Sequence, residues 1–265
     1  MDRFLLTGAT FCLLLSFGYT LLALRAGRFR PGPVNLVAIL GGFALLTLDL
    51  WSRGQMQGSC PINSLFNVLV FICWSILLIY LVVGSAYRLS LLGAFTSPLV
   101  FFVLLFAQLG PVGTTVQARL DHNPLIQLHA ALSLVAYGAF ALAAVAGLMY
   151  LVQDRQLKTR NAGALLYNLP PITDLGVANA RLIRLGFGLL TAGFVAGFAA
   201  GHIGGTHVNS LKFLASALIW AGYGAILVMR KIHRLPPRRT AAASMIVFGA
   251  ALLLLPTIQY LSPVK

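Results

Sequence analysis

Eight almost uncharged apolar stretches divide this chain, near residues 4–24, 34–51, 64–86, 91–110, 128–152, 185–205, 211–229 and 241–261. Each is close to the roughly 20 residues that a helix needs to cross about 30 Å of hydrocarbon. With 59% of 265 residues hydrophobic and only 9% charged, a water-soluble core could not absorb so much apolar surface, whereas spanning helices can. The chain therefore reads as all-α: a polytopic integral membrane bundle of about eight transmembrane helices, a single domain over 1–265, multi-pass in a cell's plasma (inner) membrane. The breaks at Arg28 to Pro33, Gly54 to Pro61, Gly110 to Pro124 and Leu235 to Arg239 combine turn formers with polar groups. No soluble domain fits between them. The first stretch lacks a small-residue cleavage site and is followed by Arg25, Arg28 and Arg30, so we expect it to be retained rather than removed as a signal peptide.

The charges are sorted. Nineteen Lys and Arg face five Asp and no Glu, for a formal charge of +14. In a soluble protein this balance would suggest nucleic acid. Here the cations lie in short loops, which makes the lipid bilayer the expected partner and excludes nucleic acid. Loops after stretches one, three, five and seven hold fourteen of the nineteen: Arg25, Arg28, Arg30, Arg88, Arg155, Lys158, Arg160, Arg181, Arg184, Arg230, Lys231, Arg234, Arg238 and Arg239. The positive-inside rule then places both termini outside. On the inner side, the 161–183 interval carries Leu169, Ile172, Leu175, Val177 and Leu182 near helical spacing behind Pro170 and Pro171, which predicts an interfacial helix.

This orientation sorts the five histidines. His122 and His129 fall at the outer end of stretch five, His202 and His207 at the outer end of stretch six, and His233 inside. Two antiparallel helices thus present imidazoles at one membrane level, as ligation of a haem at the outer interface would need. His122, in an Asp-His-Asn-Pro turn, and His233, among basic residues, read as solvated side chains. His202 and His207 fit either interfacial polar residues or ligands. His129 opens a long apolar helix, and an ionisable group at that depth is a functional candidate.

Other features read more simply. Asp49 lies four residues before Arg53, an i, i+4 pair, although a proton-coupled role remains open to it. Gly41, Gly42, Gly193, Gly197, Gly201 and Gly224 suit helix packing. Cys12, Cys60 and Cys73 form no CxxC or CxxCH, so they neither build a disulfide framework nor attach haem covalently. No Walker loop, zinc-ligand spacing, nucleophile elbow or paired carboxylates occurs, and an enzyme is not expected.

The run Leu128-His129-Ala130-Ala131-Leu132-Ser133-Leu134-Val135-Ala136-Tyr137, with Gly147-Leu148-Met149-Tyr150-Leu151, Gln153-Asp154-Arg155 and Leu157-Lys158, resembles the membrane cytochrome c assembly family, in a branch similar to the HemX and YpjD proteins. Leu92 to Leu99 upstream, and Leu169-Pro170 and Leu185 to Thr191 downstream, extend the likeness over about 64–235. The resemblance implies a non-enzymatic protein of haem handling and cytochrome c biogenesis. In the CcsA and CcmC members a histidine opening the equivalent span is an external haem ligand, which carries over to His129. No outward histidine matches the family's second external ligand, so His202 or His207 would supply one by side and depth alone, and the cofactor would be haem b held without a covalent bond. The family's WGxxWxWDxKE segment corresponds to Gly204 to Lys212, which keeps only Gly204 and Lys212, and its two inner histidines fall near Leu46 and near Val228 or Met229. Expected partners are other cytochrome c maturation proteins. A second reading is a regulatory membrane protein that docks a cytoplasmic tetrapyrrole-synthesis enzyme on the 161–183 segment. A third is a small-solute transporter using Asp49.

The charge sorting makes a topology prediction. In a variant with its three cysteines replaced by alanine, Arg160→Cys should react with a membrane-impermeant maleimide only in inside-out vesicles and Gln117→Cys only in right-side-out ones. The opposite pattern would invert the orientation.

Overall fold

In lipid, apolar side chains gain little by leaving the solvent, so helices associate through close backbone approach and a few interhelical hydrogen bonds. The computed structural model, which describes residues 2–25, 33–58, 60–62, 64–87, 90–109, 123–159, 171–204, 210–232 and 234–261, is built that way. Its elements are α1 (Asp2–Arg25), α2 (Pro33–Gln57), α3 (Leu65–Tyr87), α4 (Ser90–Leu109), α5 (Pro124–Lys158), α6 (Ile172–Gly204), α7 (Ser210–Lys231) and α8 (Pro237–Leu261). Among the described residues all regular structure is helical. Among the described residues six helices are long and apolar enough to cross a membrane: α1, α2, α3, α5, α6 and α7; α4 carries a shorter apolar stretch, Phe95–Leu109. The polytopic helical bundle expected from the apolar stretches is therefore observed.

The helices form two groups. α1 packs on α2 and α4, and α3 on α4; α5 packs on α6 and α8, while α7 touches α6 and α8; the α3–α5 contact joins the halves. α5 is the hub, and small residues make it one. Ala136, Gly138, Ala139, Ala141, Ala143, Ala146 and Gly147 are all buried along it. A Cβ on Gly138 would stand 2.7 Å from the Ser75 backbone of α3, and one on Gly147 would stand 3.0 Å from the Ala241 carbonyl of α8. Polar ties complete the packing. Asn179 donates to the Ala143 carbonyl at 2.7 Å and to Ser244 at 3.0 Å, linking α6, α5 and α8. Gln108 of α4 donates to Thr10 of α1 at 2.6 Å, and Ser16 donates to Asn35 between α1 and α2.

The α5–α6 contact has an antiparallel register. Moving along α5 from His129 to Ser133, Phe140, Gly147 and Tyr150, the facing residues on α6 are Gly197, Gly193, Gly186, Asn179 and Gly176. Steps of four, seven, seven and three residues on one helix are matched in reverse on the other, the spacing of a seam with a period of about 3.5. It runs for about 32 Å at 1.5 Å per residue, close to the hydrocarbon thickness.

This register accounts for the 161–183 interval. Residues 160–170 lie outside the described ones. From Ile172 onward the chain is already α6, with Leu175, Leu182 and Ile183 buried and Val177 exposed. The part of that interval from Ile172 on is thus the first part of α6, packed on α5. α2 ends where Gly58 takes φ +62°, a left-handed C-terminal stop that favours glycine.

If backbone approach holds the bundle together, added methyl groups should separate positions sharply. Gly138→Ala should cost about 1–3 kcal/mol, because its Cβ meets backbone rather than a movable side chain. Gly188→Ala, with open space around it, should leave stability unchanged or raise it by about 0.5–1 kcal/mol. Thermal unfolding in detergent checks both.

Candidate functional site

α5 starts at a defined point. The Asn123 side chain accepts from Leu125 N at 3.0 Å and Pro124 occupies the first helical position, where a missing N–H costs nothing. His129 therefore stands in the second turn, about 7 Å along the axis from Pro124. The Gly54–Pro61 segment is tied to the same turn, with Cys60 N donating to the Gln127 side chain at 3.2 Å. Burial pushes the Cys60 thiol above its ordinary range, which keeps it protonated and a poor nucleophile.

The His129 imidazole is half-buried against α6. Its Nδ1 lies 2.7 Å from the Gly193 carbonyl oxygen. A carbonyl only accepts, so Nδ1 carries the proton and the neutral ring's lone pair sits on Nε2. Gly197, one turn further out, is the floor of the seat. A Cβ there would stand 2.7 Å from Nδ1 and 3.1 Å from both Cγ and Cε1, so the ring rests directly on the glycine backbone. Beneath it, Ser133 donates to the His129 carbonyl at 2.7 Å, and a Cβ on Gly193 would come within 2.9 Å of the Ser133 oxygen. Both glycines are therefore required: one admits the ring, and the other lets the two helices come close enough for the carbonyl bond.

Chemically this is one oriented imidazole nitrogen. A metal-ligating histidine commonly donates its second N–H to a backbone carbonyl, which fixes tautomer and ring direction. Among the described residues no cluster of three His, Cys, Asp or Glu could hold a bare ion. A single oriented imidazole nitrogen of this kind can serve as one ligand to a metal.

The other sequence candidates are less fully placed. His202 belongs to the last turn of α6, about 7 Å along that helix beyond Gly197. Its side chain, and the whole of His122, His207 and His233, lie outside the described residues, as does the expected pairing with His129. The positions where inner histidines were sought hold Leu46, fully buried in the core, and Val228 and Met229, both exposed on α7. Asp49 has its carboxylate engaged: Arg53 donates from Nε at 2.9 Å and from Nη2 at 3.0 Å, reaches Asn67 at 3.2 Å, and lies over the Phe66 ring. Sequence reasoning singled out Gly193 and Gly197 only as packing residues. Their Gly-x-x-x-Gly spacing was the available signal, but which residue of α5 they face is a matter of register.

Fold and site together define a multi-pass helical membrane protein with an ordered imidazole toward one end of its hub helix. The chain belongs to the cytochrome c assembly protein family, whose family model, described as "Cytochrome C assembly protein", matches residues 62–262. Protein HemX of Brevibacillus brevis is 30% identical over 192 residues, covering 71% of this chain and 70% of that protein. Cytochrome c biogenesis protein CcsA of Trieres chinensis is 28% identical over 196 residues, 62% of each chain. The protein of that name from Synechococcus elongatus is 26% identical over 300 residues, covering 92% of this chain and 90% of its own length.

The tautomer can be read directly. In protein labelled with ¹⁵N-histidine, the neutral form of His129 should be the tautomer with the proton on Nδ1 and the lone pair on Nε2. Gly197→Ala, which displaces the ring from its seat, should abolish that pattern and give a solvent-averaged tautomer mixture.

Proposed function

We propose that this chain is a non-catalytic haem-handling protein of cytochrome c biogenesis that holds haem b at the outer face of the plasma membrane through Nε2 of His129. The observation that carries this reading is the Nδ1 bond to the Gly193 carbonyl, which leaves Nε2 as the ligating atom. Membership of the cytochrome c assembly family and likeness to proteins named for cytochrome c biogenesis support the cofactor class. Haem, when bound, supplies an iron centre for delivery to an acceptor protein; the chain's own part is to bind, orient and release it. Gly193 holds the proton on Nδ1, Gly197 fixes the ring plane, and the α5–α6 contact shields one side of the imidazole from water. His202 or His207 would supply a second ligand. The three cysteines lack thioether spacing, so the hold is non-covalent and the haem can leave. Other cytochrome c maturation proteins would receive it, with the bilayer as the permanent partner.

Titration of the detergent-purified protein with haemin should give a saturable Soret band at one haem per chain, fully extractable by acid acetone. His129→Ala should abolish it. Gly197→Ala should weaken affinity by about 10–100-fold, the usual effect of losing a ligand's positioning partner. A Soret titration indifferent to His129→Ala would sink the proposal.

A further inference from the structure

At the opposite end of the hub helix, α5 and α8 enclose a basic depression that the haem reading does not use. Two adjoining cavities of about 450 and 520 Å³ share Leu151 and Arg238. Arg155 and Lys158 of α5 line the first, and Arg239 of α8 lines the second. Among the described residues lining either cavity, Asp154 is the one acid. It already binds Lys158 at 2.9 Å and Arg238 at 3.4 Å. That arrangement draws the ends of α5 and α8 together, neutralises one charge of four and leaves a surplus of positive charge at the membrane boundary.

The surfaces running from this depression toward the bilayer centre are apolar and open. On α5, Leu148 and Val152 are exposed at helical spacing from Arg155; on α8, Ile246 is exposed, two turns from Arg239. Cations at the interface with an uncovered apolar strip below them form the complement of a lipid with an anionic headgroup. A zwitterionic headgroup would bring its own ammonium toward these guanidinium groups. A soluble anion would leave the strip bare. Basic pockets between transmembrane helices on the cytoplasmic side recognise phosphate-bearing headgroups in this manner.

We propose that the α5–α8 depression is a specific binding site for an anionic phospholipid of the inner leaflet, its phosphate held by Arg155 and Arg239 and its acyl chains lying on Leu148, Val152 and Ile246. The site is independent of the haem proposal, since it lies at the other end of α5 and shares no residue with the His129 seat.

The test compares two double variants that remove equal charge from the same side of the protein. Arg155→Gln with Arg239→Gln empties the proposed contacts while keeping the Asp154–Lys158–Arg238 cluster. Lys231→Gln with Arg234→Gln removes two exposed charges outside the depression. Each full-length protein is purified in detergent and titrated with phosphatidylglycerol, phosphatidylcholine or inorganic phosphate, with bound lipid read by native mass spectrometry and thermal stability followed in parallel. The expected result is a one-to-one phosphatidylglycerol adduct that raises the melting temperature, absent with phosphatidylcholine and with phosphate. The Arg155/Arg239 variant should bind about 30-fold more weakly, from about 1 kcal/mol per basic residue at an anionic surface, while the Lys231/Arg234 variant binds as the parent does. Equal loss in both variants would reduce the effect to general surface charge, and stabilisation by phosphate alone would replace the lipid with a soluble anion; either overturns the proposal. Parallel unfolding transitions of the lipid-free variants separate lost binding from lost folding.

Discussion

The structure depends on how closely α5 and α6 can approach. In water a bundle can be held by apolar burial and tolerate imperfect contacts, but between lipid-solvated helices the attraction comes from van der Waals contact at backbone distance and from hydrogen bonds without competing water. The α5–α6 seam supplies both. Gly186 accepts the Phe140 ring, Gly193 and Gly197 accept Ser133 and His129, and Asn179 bonds to the Ala143 carbonyl. The two helices keep one register through the whole contact. The remaining helices are arranged around this pair, with α3 and α8 on further small-residue faces of α5 and with α7 reached through Phe140, which stacks on Tyr223 at 3.6 Å between ring centroids.

The candidate site is the terminal rung of that same seam, at the N-terminal end of α5. The imidazole is not placed in a pocket formed by loops; it is packed as a core side chain is, with one nitrogen consumed by a backbone carbonyl and one left over. Orientation is therefore obtained from the packing that holds the bundle together, and a ligand on a rigid helix is held more accurately than one on a loop. The chain keeps little of the tryptophan-rich segment found in better-known members of its family, and the inner positions hold Leu46, Val228 and Met229.

The two ends of the hub helix differ in their electrostatics. Near α2 and α3, Asp49 and Arg53 form a two-point ion pair with the carboxylate fully buried and Asn67 as a further acceptor, so the pair is satisfied within the protein. At the other end, Asp154 is shared between Lys158 and Arg238 in partly exposed surroundings, and the cations outnumber it. The first arrangement closes on itself and holds α2 to α3. The second leaves charge facing the headgroup layer, where anionic lipid can answer it.

Much was legible in the amino-acid order alone. Long uncharged stretches determined an all-helical membrane bundle, because unpaired backbone cannot be left in hydrocarbon. The one-sided arginines and lysines set an expectation of orientation, and His129 stood out as an ionisable group near the start of an apolar helix. The Asp49–Arg53 pair was readable because i and i+4 are neighbours on any helix. What the sequence could not decide is which faces meet. The apolar spacing after Pro171 suits a separate short helix and the start of a long one equally, and only the structure joins it to α6 and packs it on α5. Likewise Gly193 and Gly197 are recognisable as packing residues, but that they seat an imidazole and set its tautomer follows from the α5–α6 register, a long-range relation between residues some 64 positions apart that no local pattern encodes.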